Sequence, residues 1–143
     1  MKKNFKFLSI VVITILFTFA GCKKDTEKPL IVLLIAKWEM QSVYYQFYEN
    51  GIKTGENYDT FGPNNIVYEF LENGDGNIYE NGTLKNPFTW TLYGTSVTIE
   101  KPEEVITGEV SIVNDILTFN GSYTYSAGGV NYEDLKTFTF KKV

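Results

Sequence analysis

The chain is 143 residues long, carries 17 acidic residues against 13 lysines for a net charge of −4, and contains no histidine and no arginine. Without histidine it lacks the usual general base of serine and cysteine hydrolases and the commonest metal ligand, and without arginine it lacks a bidentate clamp for phosphate. The acidic balance offers no electrostatic footprint for nucleic acid, and no metal or cofactor is expected.

Lys2, Lys3 and Lys6 precede an apolar stretch of 14 residues, Phe7 to Ala20. That length suits a secretory signal and falls short of the ~20 residues a helix needs to cross a bilayer. The stretch ends in Phe19-Ala20-Gly21-Cys22, and Cys22 is the single cysteine of the chain. This junction resembles the lipobox of bacterial lipoproteins, with Phe19 where that family usually has leucine. The resemblance implies cleavage after Gly21 and a diacylglycerol thioether at Cys22, with acyl chains of the palmitate type holding the protein to a membrane. Lys23 stands where some bacteria place an aspartate to retain lipoproteins at the inner membrane, so the resemblance implies an outer-membrane lipoprotein, on either the periplasmic or the surface-exposed face. An ordinary signal leaving a free cysteine is the alternative.

The expected organisation is a signal at residues 1–21, a charged tether at 22–29 and one domain at 30–143. The 122 residues after the signal suffice for one core, and losing three lysines takes the net charge to −7. In the domain, large apolar residues alternate with threonine, serine and charge, which is strand chemistry. The pattern marks strands at Lys37–Tyr48, Ile66–Leu71, Gly76–Glu80, Phe88–Tyr93, Ser96–Glu100, Ile106–Ile112, Leu117–Phe119 and Thr137–Lys141. About eight strands and no helical stripe predict an all-β fold.

The connections alternate between tight and long. Asn73-Gly74-Asp75, Gly94-Thr95 and Asn114-Asp115 carry hairpin chemistry, whereas Glu49–Asn65, Asn81–Pro87 and Lys101–Glu104 read as longer loops and Asn120–Leu135 as a long connection, with partial strand as its alternative. In an up-and-down antiparallel meander this places every tight turn at one end. The expectation is a β-barrel with a closed floor and a loop-framed mouth, with a β-sandwich second.

The chain resembles bacterial lipocalin-like domains, related in architecture to lipocalins and fatty-acid-binding proteins. The matching residues are the apolar segment Leu30–Ile35, Ala36-Lys37-Trp38 where lipocalins carry Gly-x-Trp, Phe70-Leu71 before Asn73-Gly74-Asp75-Gly76, Thr89 to Ile99, and the last strand Thr137-Phe138-Thr139-Phe140-Lys141-Lys142. The resemblance implies an eight-stranded barrel with the Leu30–Ala36 segment plugging its floor and Trp38 closing that floor. A membrane-surface contact beside the anchor is the alternative role for the segment. Ala36 replaces the motif glycine, and only Lys141 or Lys142 could take the place of the arginine that covers the tryptophan.

Tyr68, Phe70, Phe88, Trp90 and Phe140 should face inward, either lining a cavity for a small apolar ligand or interdigitating as a dry core. Tyr58, Phe61, Tyr123, Tyr125 and Tyr132 fall in the expected mouth loops, as a binding rim or as caps over the interior. Asp75 and Glu80 near Asn73 and Asn77 lack the spacing of a calcium loop. Neither Glu103-Glu104 nor Glu133-Asp134 has the facing geometry of a glycosidase pair. The expected function is a monomeric, non-enzymatic, membrane-anchored binding protein with a small apolar ligand. The alternative is an envelope interaction module with a filled core, using the tyrosines as its contact surface.

Overall fold

The computed structural model describes residues 28–102 and 104–143. The signal, Cys22, the tether through Glu27, and Glu103 lie outside the described residues. A short helix α1 (Leu30–Leu34) precedes nine strands: β1 (Lys37–Glu49), β2 (Ile52–Thr60), β3 (Ile66–Phe70), β4 (Asp75–Glu80), β5 (Thr83–Tyr93), β6 (Ser96–Lys101), β7 (Glu104–Val113), β8 (Ile116–Ala127) and β9 (Val130–Lys142). Strands β3 to β9 form an antiparallel meander, and β1 closes the ring by pairing with β9 on one side and with β3 on the other. The fold is therefore a closed eight-stranded antiparallel barrel with β2 as an extra strand.

Period-two burial explains the strands. Phe88 and Trp90, Val97 and Ile99, Leu117 and Phe119, and Phe138 and Phe140 all point inward with exposed or half-buried residues between them. On β1 the register slips at Gln41, and this bulge lets Trp38 and Met40 below it and Val43 above it all face the interior.

The floor carries the β3–β4, β5–β6 and β7–β8 turns, and α1 lies there against β7. Trp38 is fully buried, and its indole Nε1 donates to the Leu34 carbonyl at 2.8 Å. The Lys142 ammonium sits 5.9 Å from the Trp38 ring, supplying the expected cationic cover. The apolar segment is not buried throughout. Leu34 joins the core, whereas Ile31 and Val32 on the opposite side of the helix are about half exposed.

The opposite end differs from the loop-framed mouth that the sequence suggested. Three of the expected longer loops are mostly strand, closed by two-residue turns at Asn50-Gly51, Asn81-Gly82 and Gly128-Gly129, with φ between 49° and 81°. Positive φ at both central positions is what a type I′ turn requires, and asparagine and glycine supply it at least cost. β2 fills most of the first expected loop, and β8 and β9 run through the last. Pairing of β3 with β1 ends at Glu39, and pairing of β7 with β8 ends at Ser122. Above those points β2, β1, β9 and β8 continue as a four-stranded flap standing on the barrel rim.

Candidate functional site

The five inward aromatics come together in the barrel. Phe70 meets Phe88 edge-on at 5.2 Å and Trp90 at 5.5 Å, while Tyr68 contacts Phe140 at 5.4 Å and Phe88 at 5.6 Å. Each such aromatic pair contributes about 0.5–1.5 kcal/mol beyond its burial. Gly76 faces the Phe88 ring so closely that a Cβ would collide with it. The space left among Tyr68, Ile99, Lys101, Ile106, Phe119, Phe138 and Phe140 is about 10 Å³. That is room for a single water at most. Burial pushes the Tyr68 phenol up to about 12, so it stays neutral at any physiological pH.

Above this core an ionic cluster spans the barrel top. Glu104, at the start of β7, accepts from the Lys101 ammonium at 2.7 Å and from Lys136 on β9. Burial pushes the Glu104 carboxyl up, but its bonds to Lys101 and Lys136 outweigh that and hold it below the usual carboxylate value. A depressed folded pKa stabilises the native state above the unfolded value, and that contribution is lost as pH falls through the folded value. Glu104→Gln is therefore expected to lower the melting temperature at neutral pH and to flatten the acid side of its pH dependence. Equal acid slopes in thermal melts of the two proteins would contradict this.

The flap face continuous with the barrel interior is set by register. From Val43 upward it carries Tyr45, Phe47 and Glu49 on β1, opposite Lys136, Asp134 and Tyr132 on β9. Tyr123 and Tyr125 on β8 oppose Asp134 and Tyr132, and Asn57 and Asp59 on β2 oppose Tyr45 and Val43. Tyr125 stacks on Tyr132 at 4.8 Å and lies 5.6 Å from Tyr123, and Tyr45 stacks on Phe47 at 6.3 Å. Lost water contact, then the Asp134 carboxylate, push the Tyr125 phenol up, as expected for a ring beside fixed negative charge. At the tip, a groove of about 420 Å³ runs among Gly51, Thr124, Tyr125, Ser126, Asn131, Tyr132 and Glu133, and alternation puts Thr124, Ser126, Asn131 and Glu133 of that set on the outer face of the flap.

The expected mouth residues thus separate. Tyr123, Tyr125 and Tyr132 share one surface, but they stand on strands instead of loops. Tyr58 is also on a strand, and its register with Tyr44 puts it on the outer face of the flap. Phe61 follows β2, donates its backbone N–H to the Gln41 carbonyl and packs against the core. Tyr45, Phe47 and Lys136 were not singled out from sequence, and Glu104 and Asp134 were weighed there only as members of adjacent carboxylate pairs. The Tyr45-x-Phe47 alternation running into Asn50-Gly51 was the available signal, because it marks a hairpin whose inner face is aromatic.

Asp75 is a turn residue: its N–H and carboxylate bond to the Asn73 side chain, and its carbonyl accepts from the Trp90 indole at 2.9 Å. Glu80 lies at the far end of β4. Glu133 and Asp134 are neighbours on β9 and point to opposite faces. Among the described residues no group of three or more acidic, histidine or cysteine side chains could hold a metal ion. No family model, curated protein or solved structure matches the chain.

Proposed function

We propose that the protein is a lipid-anchored envelope module that contacts another protein through the inner face of its flap. The distribution of aromatic side chains carries this reading. Inside the barrel they leave about 10 Å³, against the several hundred Å³ of an ordinary ligand pocket. On the flap, Tyr123 and Tyr125 keep 43% and 44% of their surface exposed. Exposed tyrosine supplies apolar area with a polar tip and is enriched at protein contacts. The reading is monomeric and non-enzymatic, with no nucleic acid and no cofactor.

The anchor is Cys22, and localisation is the outer membrane. Lys28 and Pro29 lead into α1 at the floor, so an anchor upstream of them favours a floor facing the lipid and a flap facing away. The test is crosslinking of the intact protein in envelopes. Joint Tyr125→Ala and Tyr132→Ala substitution is expected to cut a defined crosslinked partner by about tenfold, the scale of hot-spot losses. Tyr58→Ala, on the outer face, should leave that partner unchanged. Unaltered crosslinking in the double variant contradicts the reading.

A further inference from the structure

We propose that the free edge of β8 takes up an extended, lysine-bearing peptide strand, so that the partner joins the flap as a fifth strand. The inference rests on the flap being the contact surface and names how, and by what, it is occupied. The flap ends in two unpaired edges, β2 and the upper part of β8. The β2 edge carries Lys53, Glu56 and Asp59, the charges with which proteins block edge pairing. Tyr123-Thr124-Tyr125-Ser126-Ala127 on β8 carries none.

Hairpin geometry defines what this edge offers. The two-residue turn at Gly128-Gly129 makes Ala127 and Val130 a hydrogen-bonded pair, and such pairs alternate along the hairpin. Ser126 with Asn131 is then a pair whose backbone groups point away from each other. This agrees with Asn131, whose N–H and C=O both bond to Asn50 on the other side. The backbone N–H and C=O of Thr124 and Ser126 therefore point out of the sheet, ready for an added strand.

Charge selects the occupant. The flap lysines are engaged, Lys53 with Glu56 and Lys136 with Glu104. Among the described residues, Glu49, Asp59, Glu133 and Asp134 have no ammonium within ion-pair distance. A second copy would set these carboxylates against their own like. An added strand with lysine at alternate positions would instead lay ammonium groups over the Tyr123 and Tyr125 rings, within a side chain's reach of Asp134.

The test uses the detergent-solubilised mature chain, amide hydrogen exchange, and two short probe peptides alternating valine with lysine or valine with glutamate. The valine–lysine peptide is expected to slow exchange at Thr124 and Ser126 by about tenfold and to leave β2 unchanged. Thr124→Pro removes an outward N–H without touching the β8–β9 bonds, and should weaken that peptide by about tenfold, one lost edge bond and its strand alignment. Equal affinity for both peptides, equal affinity in Thr124→Pro, protection on β2, or protection by self-association without peptide would each overturn the proposal. If no peptide protects β8 while the tyrosine double variant still loses its crosslinked partner, strand addition fails and the flap reading stands. If the partner is also retained, both fail.

Discussion

Trp38→Ala is expected to cost about 3–5 kcal/mol, the range for deleting a large buried aromatic side chain. Three contributions act together. The ring is fully buried at the floor, so its loss leaves a cavity bounded by strands that cannot collapse far. Its Nε1–H bond to the Leu34 carbonyl is what fastens α1 to β1, so truncation frees the helix and leaves that carbonyl without its donor. The Lys142 ammonium loses the ring face beneath it. Against a typical total of about 5–15 kcal/mol for a domain, this is roughly a fifth of the stability at the least. Thermal melts should show a fall of roughly 10–20 °C, and limited proteolysis should cut first at the Leu30–Leu34 segment. Trp38→Phe keeps most of the apolar volume and loses the bond, so it should fall between the two. A drop of only a few degrees in Trp38→Ala would mean that the floor is held by something other than this residue.

Cys22→Ser is expected to have an all-or-none effect of a different kind. The proposed anchor consists of acyl chains, each CH₂ of which contributes about 0.8 kcal/mol on burial in the bilayer, so two or three chains hold a domain in effect permanently. Serine cannot form the thioether. Metabolic labelling with a clickable palmitate analogue should mark the wild type and miss the variant, and the variant should move from the membrane to the soluble fraction. The folded domain should be unaffected, since all the described core residues lie downstream at Leu34 and beyond. Label retained in Cys22→Ser, or an unlabelled wild type, contradicts the anchor.

The barrel was legible because its strands are buried on one face only. Phe88-x-Trp90, Val97-x-Ile99 and Phe138-x-Phe140 announce their inner face by alternation, and Gly94-Thr95 and Asn114-Asp115 announce the turns. β2 was not legible by the same rule. From Ile52 to Thr60 it is exposed or half-exposed at every position, because backbone pairing with β1 holds it and no core lies behind it. The upper halves of β8 and β9 read as a long connection with only partial strand as an alternative, and on β8 the reason is the same: Tyr123 to Ala127 is exposed at every position. Asn50-Gly51 and Gly128-Gly129 were the visible clues, since each places a type I′ turn inside a stretch otherwise taken as loop.

The site was legible in composition and not in geometry. Tyrosines were expected at the open end, and Tyr123, Tyr125 and Tyr132 are there. Which of them share a face depends on register, and a one-residue slip reverses every side chain. The pairing of Tyr58 with Tyr44 turns Tyr58 outward, while Tyr45, one residue along, turns inward. The Gln41 bulge that sets this phase has no signature in the residues around it. Whether the inward aromatics enclose a cavity was equally out of reach, because it depends on how Tyr68, Phe70, Phe88 and Phe140 tilt against one another.

The central claim is that the barrel is filled and that contact is made by the flap. The chain has two tryptophans, Trp38 and Trp90, and both are buried in the barrel core, so their emission reports directly on anything entering it. Titrating the purified mature protein with a panel of fatty acids, sterols and small aromatic compounds should produce no saturable change in tryptophan fluorescence. A saturable shift with any of them would mean that the core opens to admit a ligand, and would return the protein to the class of apolar carriers.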